Sequence, residues 1–379
     1  MMNRFLPLLS LLILLEIGCV KSEPPPPNPF REPITYSVGR SPSFVGAADL
    51  NQDGFLDLAV ANTEDNNVFL LINDKNGSFE EPVQLKTGRQ PRSIAFGDFN
   101  EDGMTDLAVL NNDEDNLYLF INQGQAIFSR PAIYEVGHAP FMATVADFNQ
   151  DRHLDMAVVS RHDRLMILLG KGNGAFENGM IASPGAIPTG IISGHFNGDT
   201  FLDLAIANNG PGSHEFIFFW GRGDGTFEKG EKGTAGNNPL SLISADFNQD
   251  GRPDIVVVNG LGDSLSIFLQ EKEGRYGKAR HFGAEGGPVA AVAADFSGDG
   301  LIDLAVANSR SSNISFLAGK GDGTFHHPPL NIRTGVGPFS IAPGDFNQDG
   351  YLDIAVVNNE DQNLSLLIGR QIRRQTKRG

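Results

Sequence analysis

Seven short acidic strings carry the clearest chemistry in this sequence. Each follows the pattern D-x-N-x-D-G-x-x-D, fully or nearly, and they begin at Asp49, Asp98, Asp147, His195, Asp246, Asp295 and Asp345. Oxygen donors recur at positions 1, 3, 5 and 9. They are Asp49, Asn51, Asp53 and Asp57 in the first string, Asp98, Asn100, Asp102 and Asp106 in the second, and Asp147, Asn149, Asp151 and Asp155 in the third. The fifth has Asp246, Asn248, Asp250 and Asp254, the sixth Asp295, Ser297, Asp299 and Asp303, and the seventh Asp345, Asn347, Asp349 and Asp353. Carboxylates, an amide oxygen and a backbone carbonyl gathered within one short loop suit a hard divalent cation taking roughly six to eight oxygens, which favours calcium over magnesium. Position 6 is glycine in five strings, where a sharp turn needs a residue that tolerates positive φ. Arg152 stands there in the third string. The fourth, with His195, Asn197, Asp199 and Asp203, has Thr200 there and lacks the first aspartate. These two loops are expected to be weak or empty, so the chain should hold five to seven ions. Helix-flanked calcium loops need an acidic ligand at position 12. Here that position is Val60, Val109, Val158, Ile206, Val257, Val306 or Val356, which excludes them.

The strings recur every 48 to 51 residues. A chain of 379 residues exceeds what one hydrophobic core usually fills, but stacked repeats escape that limit. Around each string lie a Gly-x-x-Pro-like turn, small and apolar residues, a run such as Asp57 to Asn62, a second apolar run such as Val68 to Ile72, and a glycine turn ending in Phe. Short runs of Val, Ile, Leu and Phe bounded by Gly, Pro, Asn and Asp read as β-strands. The expected fold is therefore all-β, a seven-bladed β-propeller of four-stranded antiparallel blades. Position 2 is Phe in six strings and Leu50 in the other, assigned to the apolar layer between blades. Residues 30–39 align with 79–88, an outermost strand, whereas the chain's last apolar run, 364–368, is a third strand. The N-terminal strand should thus complete the last blade and close the ring.

Composition narrows the function. With 29 Lys and Arg against 46 Asp and Glu, the net charge of −17 disfavours nucleic acid and anionic lipid as partners. Seven dications would bring that charge to −3. The single cysteine, Cys19, allows neither an internal disulfide nor a cysteine zinc site. Residues 1–18 read as a signal peptide, with Arg4 before an apolar run. Leu15 to Cys19 resembles the lipobox of bacterial lipoproteins, with Glu16 where an aliphatic residue is usual. Cys19 is then the lipidation site of a protein held in the periplasm or at the cell surface, and otherwise the chain is secreted. Residues 19–29 form a proline-rich spacer, 30–369 the propeller, and 370–379 a basic tail.

From residue 30 to 369 the repeats resemble the FG-GAP and VCBS repeat family, the propellers exemplified by the heads of integrin α chains. That resemblance implies structural calcium in the loops and, since members act mostly in extracellular adhesion or recognition, with some lectins and a few enzymes among them, a role of that kind. No inserted domain interrupts the blades, so integrin-type metal-dependent ligand capture is not implied.

Strand parity places the acidic loops and the Gly-Phe turns on one rim. The opposite rim, around the channel mouth, carries the polar loops between second and third strands and the Gly-x-x-Pro turns. Its candidate ligand residues are Arg40, Arg92, His138, Arg161, His162, His214 and Arg310. Most of its Asn and Asp are also good turn formers. No G-x-S-x-G elbow, H-E-x-x-H, phosphate loop or Rossmann fingerprint occurs. The sequence reads as an exported recognition or adhesion module, not an enzyme, whose partner is a protein or polysaccharide at the cell surface. A lectin-like propeller and a polysaccharide-acting enzyme with its site on the polar rim are the alternatives.

Overall fold

The computed structural model describes residues 26–272 and 274–371. The signal segment, Cys19, most of the spacer and the tail beyond 371 lie outside the described residues. Among these residues every regular element is a strand, and no helix is long and apolar enough to cross a membrane.

The strands form seven four-stranded antiparallel sheets, one per repeat. Blade one has Pro42–Ala48 innermost, then Asp57–Asn62, Asn67–Leu71 and Val83–Lys86 outermost. Second strands such as Asp57–Asn62 and Asp353–Asn358 are buried at every residue. Their unbroken runs of Val, Ile, Leu and Ala follow from being covered on both faces. Innermost strands need small residues for a different reason. A Cβ built on Gly46 would sit 2.3 Å from the ring of Phe96 in the next blade.

Each innermost strand touches that of the next blade, and Pro338–Gly344 touches Pro42–Ala48, so the seven close a ring about an axis. The N-terminal strand Ile34–Ser37 joins the last blade, with Ile34 opposite Leu366 and Ser37 opposite Asn363, as the repeat alignment predicts. Phe30 follows the same path, bridging to Gly369 and packing on Phe296 and Phe316. Closure pairs the third strand of blade seven, which would otherwise end the sheet as an open edge.

Seven apolar clusters hold the ring, one at each seam between neighbouring blades. The position-2 residues sit in them, with Leu50, Phe196 and Phe346 fully buried. Fully burying one such side chain contributes about 1.5–3 kcal/mol.

Two local features bear on function. In every innermost strand the register shifts just after the proline, as between Pro91 and Ser93 or Pro140 and Met142. A bulge re-aims the extra residue. Blade five departs from the expected four strands by adding a ribbon, Gln270–Lys272 with Arg275–Tyr276. Its Tyr276 stacks on Phe218 at 5.0 Å, which stacks on Trp220 at 4.7 Å, so Trp220 packs at a blade seam as its strand position suggests.

Candidate functional site

The acidic loops turn about their own carboxylates. In loop one Asp49 accepts the N–H groups of Asp53 at 3.2 Å and Gly54 at 2.9 Å. Asn51 Oδ1 also accepts from Asp53 at 3.0 Å, and Asp53 Oδ1 accepts from Phe55 at 2.9 Å. Loops two, three, five and seven repeat the contacts from position 1 to positions 5 and 6. The glycine at position 6 is left-handed, with φ of 87° at Gly54 and 84° at Gly350.

Loops three and four, grouped together by sequence, differ in the structure. Arg152 adopts φ of 75° and its N–H reaches Asp147 at 2.9 Å, so loop three keeps the turn of the glycine loops. In loop four His195 supplies no carboxylate, and its Nδ1 lies 2.9 Å from the backbone carbonyl of Phe201. That contact occupies the position-7 oxygen. Loop six keeps the turn with Ser297 at position 3, and Asp295 accepts from Gly298, Asp299 and Gly300.

The ninth aspartates have a second task that spacing alone does not reveal. All seven are fully buried. Asp57 accepts the N–H of Leu50 at 2.9 Å and that of Asn73 at 2.8 Å, clamping the acidic loop to the end of the third strand. Loop four retains this clamp, with Asp203 accepting from Phe196 and Gly221 at 2.9 Å each. Burial pushes the Asp57 and Asp353 carboxyls up to about 6, the two N–H bonds oppose it, and the neighbouring aspartates push further in the same direction.

This donor set fits calcium in kind: oxygens only, three of them carboxylate in most loops, with mutual repulsion that a cation would relieve. It is not drawn tight. Among the described residues no three His, Cys, Asp or Glu side chains converge on one ligating point. Positions 1, 3 and 5 would exchange some loop N–H bonds for metal bonds. Two loops already attract a side-chain cation, since Lys75 Nζ lies 3.3 Å from Asp53 and Arg252 lies 2.5 Å from Asp250.

Contacts between blades run along the same rim. Asn73 Nδ2 reaches the carbonyl of Phe346 at 2.8 Å, and Gln270 Nε2 that of Phe196 at 2.6 Å. Gln348 Nε2 donates to Gly54 at 2.8 Å, joining blade seven to blade one. Sequence reasoning missed these amides, whose signal is their recurrence at two repeat positions: after the third strand, as in Asn73, Asn122 and Gln270, and at position 4 of the loop, as in Gln52, Gln249 and Gln348.

The opposite rim sorts its cations into two groups. Arg40 pairs with Asp65 at 2.6 Å, Arg89 with Glu114 at 3.4 Å and Arg310 with Asp263. His214 is exposed on the loop of blade four. Arg92, His138, Arg161 and His162 are brought together. The Arg92 guanidinium lies 4.7 Å from the centroids of both Phe141 and Phe339, and Arg161 lies 4.5 Å from Phe141. The His138 and His162 rings are 4.5 Å apart, and His138 Nδ1 lies 2.8 Å from Asp115. Burial, then the nearby charge of Arg161, pushes the Arg92 guanidinium down to about 10. Phe141 and Phe339 were not foreseen. Their signal is the bulged position after the proline, which they share with Arg92.

A model of the FG-GAP-like repeat matches the chain in six overlapping stretches, 49–109, 98–158, 147–206, 195–257, 246–306 and 295–356, each running from one acidic loop into the next blade. No curated protein sequence matches. Among solved structures, BBS1N in its complex with ARL6DN, from a crystal soaked with mercury, is similar at 12% identity and TM-score 0.65 over 90% of this chain and 97% of that one. A lectin of Agrocybe aegerita, solved for its specific recognition of non-reducing terminal N-acetylglucosamine, is similar at 16% identity and TM-score 0.55 over 82% and 81%. At these identities the likeness is one of fold.

Proposed function

The chain belongs to the FG-GAP-like repeat family, and from that premise we propose that it is an exported, calcium-stabilised propeller that acts by recognition, without catalysis, at the cell envelope. Calcium would be held by positions 1, 3, 5 and 9 of loops one, two, three, five, six and seven, and loop four would stay empty. When bound, the ion neutralises converging carboxylates and ties the turn between the first two strands of a blade. Cys19, as a lipidated N-terminus, would anchor the protein, and the proline-rich spacer would hold the propeller off the membrane.

One observation carries the recognition reading. On a molecule of net charge −17, two guanidiniums and two imidazoles gather at one channel mouth. The ring closes without them, because its seams are apolar and the hydrogen bonds between blades, on both rims, are made by other side chains. Fold relatives that engage a protein or a glycan support a surface used for binding, with both classes of partner open. The test is binding of the purified chain to a panel of envelope proteins and polysaccharides, with calcium and with chelator. Saturable, calcium-dependent binding to one class is expected; absence of binding across the panel would return the molecule to a purely structural role.

A further inference from the structure

Seven positions of this molecule are equivalent by construction: the bulged residues after the prolines of the innermost strands. They are Ser43, Arg92, Phe141, Thr189, Leu240, Val289 and Phe339, and only one is charged. Small or apolar side chains satisfy the fold at the other six, so Arg92 answers to something besides folding. Ser43 lies between it and blade seven, buried and short, and Arg92 reaches past it to Phe339.

The loops between second and third strands repeat in the same way. Blades one, two and seven carry acids there: Glu64 and Asp65, Asp113 to Asp115, Glu360 and Asp361. Blade three instead carries Arg161, His162, Asp163 and Arg164. Asp163 is engaged by Ser183 and Gly185, and Arg164 Nε is buried without a hydrogen-bond partner. Two separate departures from the repeat thus bring their charge to the same ring, Phe141. Among the described residues neither Arg92 nor Arg161 has a carboxylate partner, whereas Arg40, Arg89 and Arg310 each do. The Phe141 ring attracts both guanidiniums through its face, and an anion set between them relieves their mutual repulsion.

We infer that Arg92 and Arg161 form an anion subsite at the mouth of the axial channel, and that it takes the carboxylate of an acidic sugar ending a glycan chain. The inference rests on the recognition reading and narrows it. A planar carboxylate matches the guanidinium N–H fork. The innermost strands encircle the axis, and Arg92 reaches from blade two to Phe339 of blade seven, so the two cations sit at the end of the ring, where a chain's terminal sugar can reach them. Acidic loops on the neighbouring blades repel a polyanion, which leaves a neutral, hydroxyl-rich body carrying one terminal charge. On that rim partly exposed Asn112, Asn209 and Asn359 each spend one amide atom on a neighbouring blade, which leaves the other amide atom, together with Ser309, for sugar hydroxyls.

The experiment is titration calorimetry of the full chain with three probes: a galactose oligosaccharide ending in one glucuronic acid, its counterpart ending in glucose, and a neutral-sided peptide with a free C-terminal carboxylate. The acidic oligosaccharide should bind about tenfold more tightly than the neutral one. Arg92→Gln and Arg161→Gln should each abolish that preference without shifting the melting temperature; Arg161 is exposed, so its variant keeps the test valid if the first fails to fold. Equal binding of both sugars, or a preference that survives in Arg161→Gln, would overturn the subsite and leave the recognition reading standing. Binding of the peptide alone would overturn the glycan assignment, and binding of none would overturn both.

Discussion

The two rims of this propeller are made from the same seven repeats and differ in how they use repetition. On the acidic rim position 9 is invariant, an aspartate buried and doubly bonded from Asp57 to Asp353. On the channel-mouth rim the equivalent positions hold Ser, Arg, Phe, Thr, Leu and Val, and the unpaired cations fall in blades two and three. Within a closed repeat every copy meets the same structural demand, so sameness marks what the fold needs and departure marks what it does not. Changes on the first rim should therefore alter stability, and changes on the second should alter binding.

The largest effect should come from removing calcium. An ion that binds only the folded chain contributes RT ln(1 + [L]/Kd), about 2.7 kcal/mol per site at a hundredfold excess over Kd. Thermal unfolding of the full chain in chelator should occur far below that in calcium; coincident melts would remove the metal from the acidic rim. Next in size is Asp353→Ala, which strips the acceptor from the buried N–H groups of Phe346 and Gly369. At about 1–3 kcal/mol for each orphaned donor, the loss should be several kcal/mol in urea unfolding, with or without calcium. Asp203→Ala should lose as much, because loop four keeps the clamp even where it lacks a metal ligand.

Smaller changes separate clamp from ligand. Asp250→Ala at position 5 should destabilise the chain in calcium and have little effect in chelator, where it also frees Arg252. A loss of equal size in both would assign Asp250 to the turn alone. Least of all, Asp199→Ala in loop four should leave the calcium-dependent part of the melt unchanged, since His195 already occupies the Phe201 carbonyl. A reduced calcium response in that variant would fill loop four and blur the contrast between loops.

Much of the acidic rim was legible in the sequence because it repeats. Spacing located the strands, and the match between residues 30–39 and 79–88 located the closing strand beside Leu366. The ribbon at Gln270–Tyr276 was hidden because an insertion in one blade has no counterpart to align with. The clamp of the ninth aspartate was hidden because a carboxylate in a pattern does not say whether it faces a metal or an amide. Loops three and four look alike in sequence, yet Arg152 takes the left-handed turn that Thr200 does not, a difference spacing does not reveal. The channel-mouth cluster was only half visible. Arg92, Arg161, His138 and His162 were recognised as rim residues, but the meeting of Arg92 with Phe339 depends on ring closure and on the small Ser43 between them. Local pattern does not encode a contact between blades two and seven.

Counting the bound metal tests the central claim most directly. The full chain would be stripped with chelator, titrated with calcium by calorimetry and assayed for bound ion after dialysis. Six ions per chain, accompanied by a rise in melting temperature, is the result expected from six complete turns and one broken one. A chain that retains no calcium and melts at the same temperature throughout would contradict it.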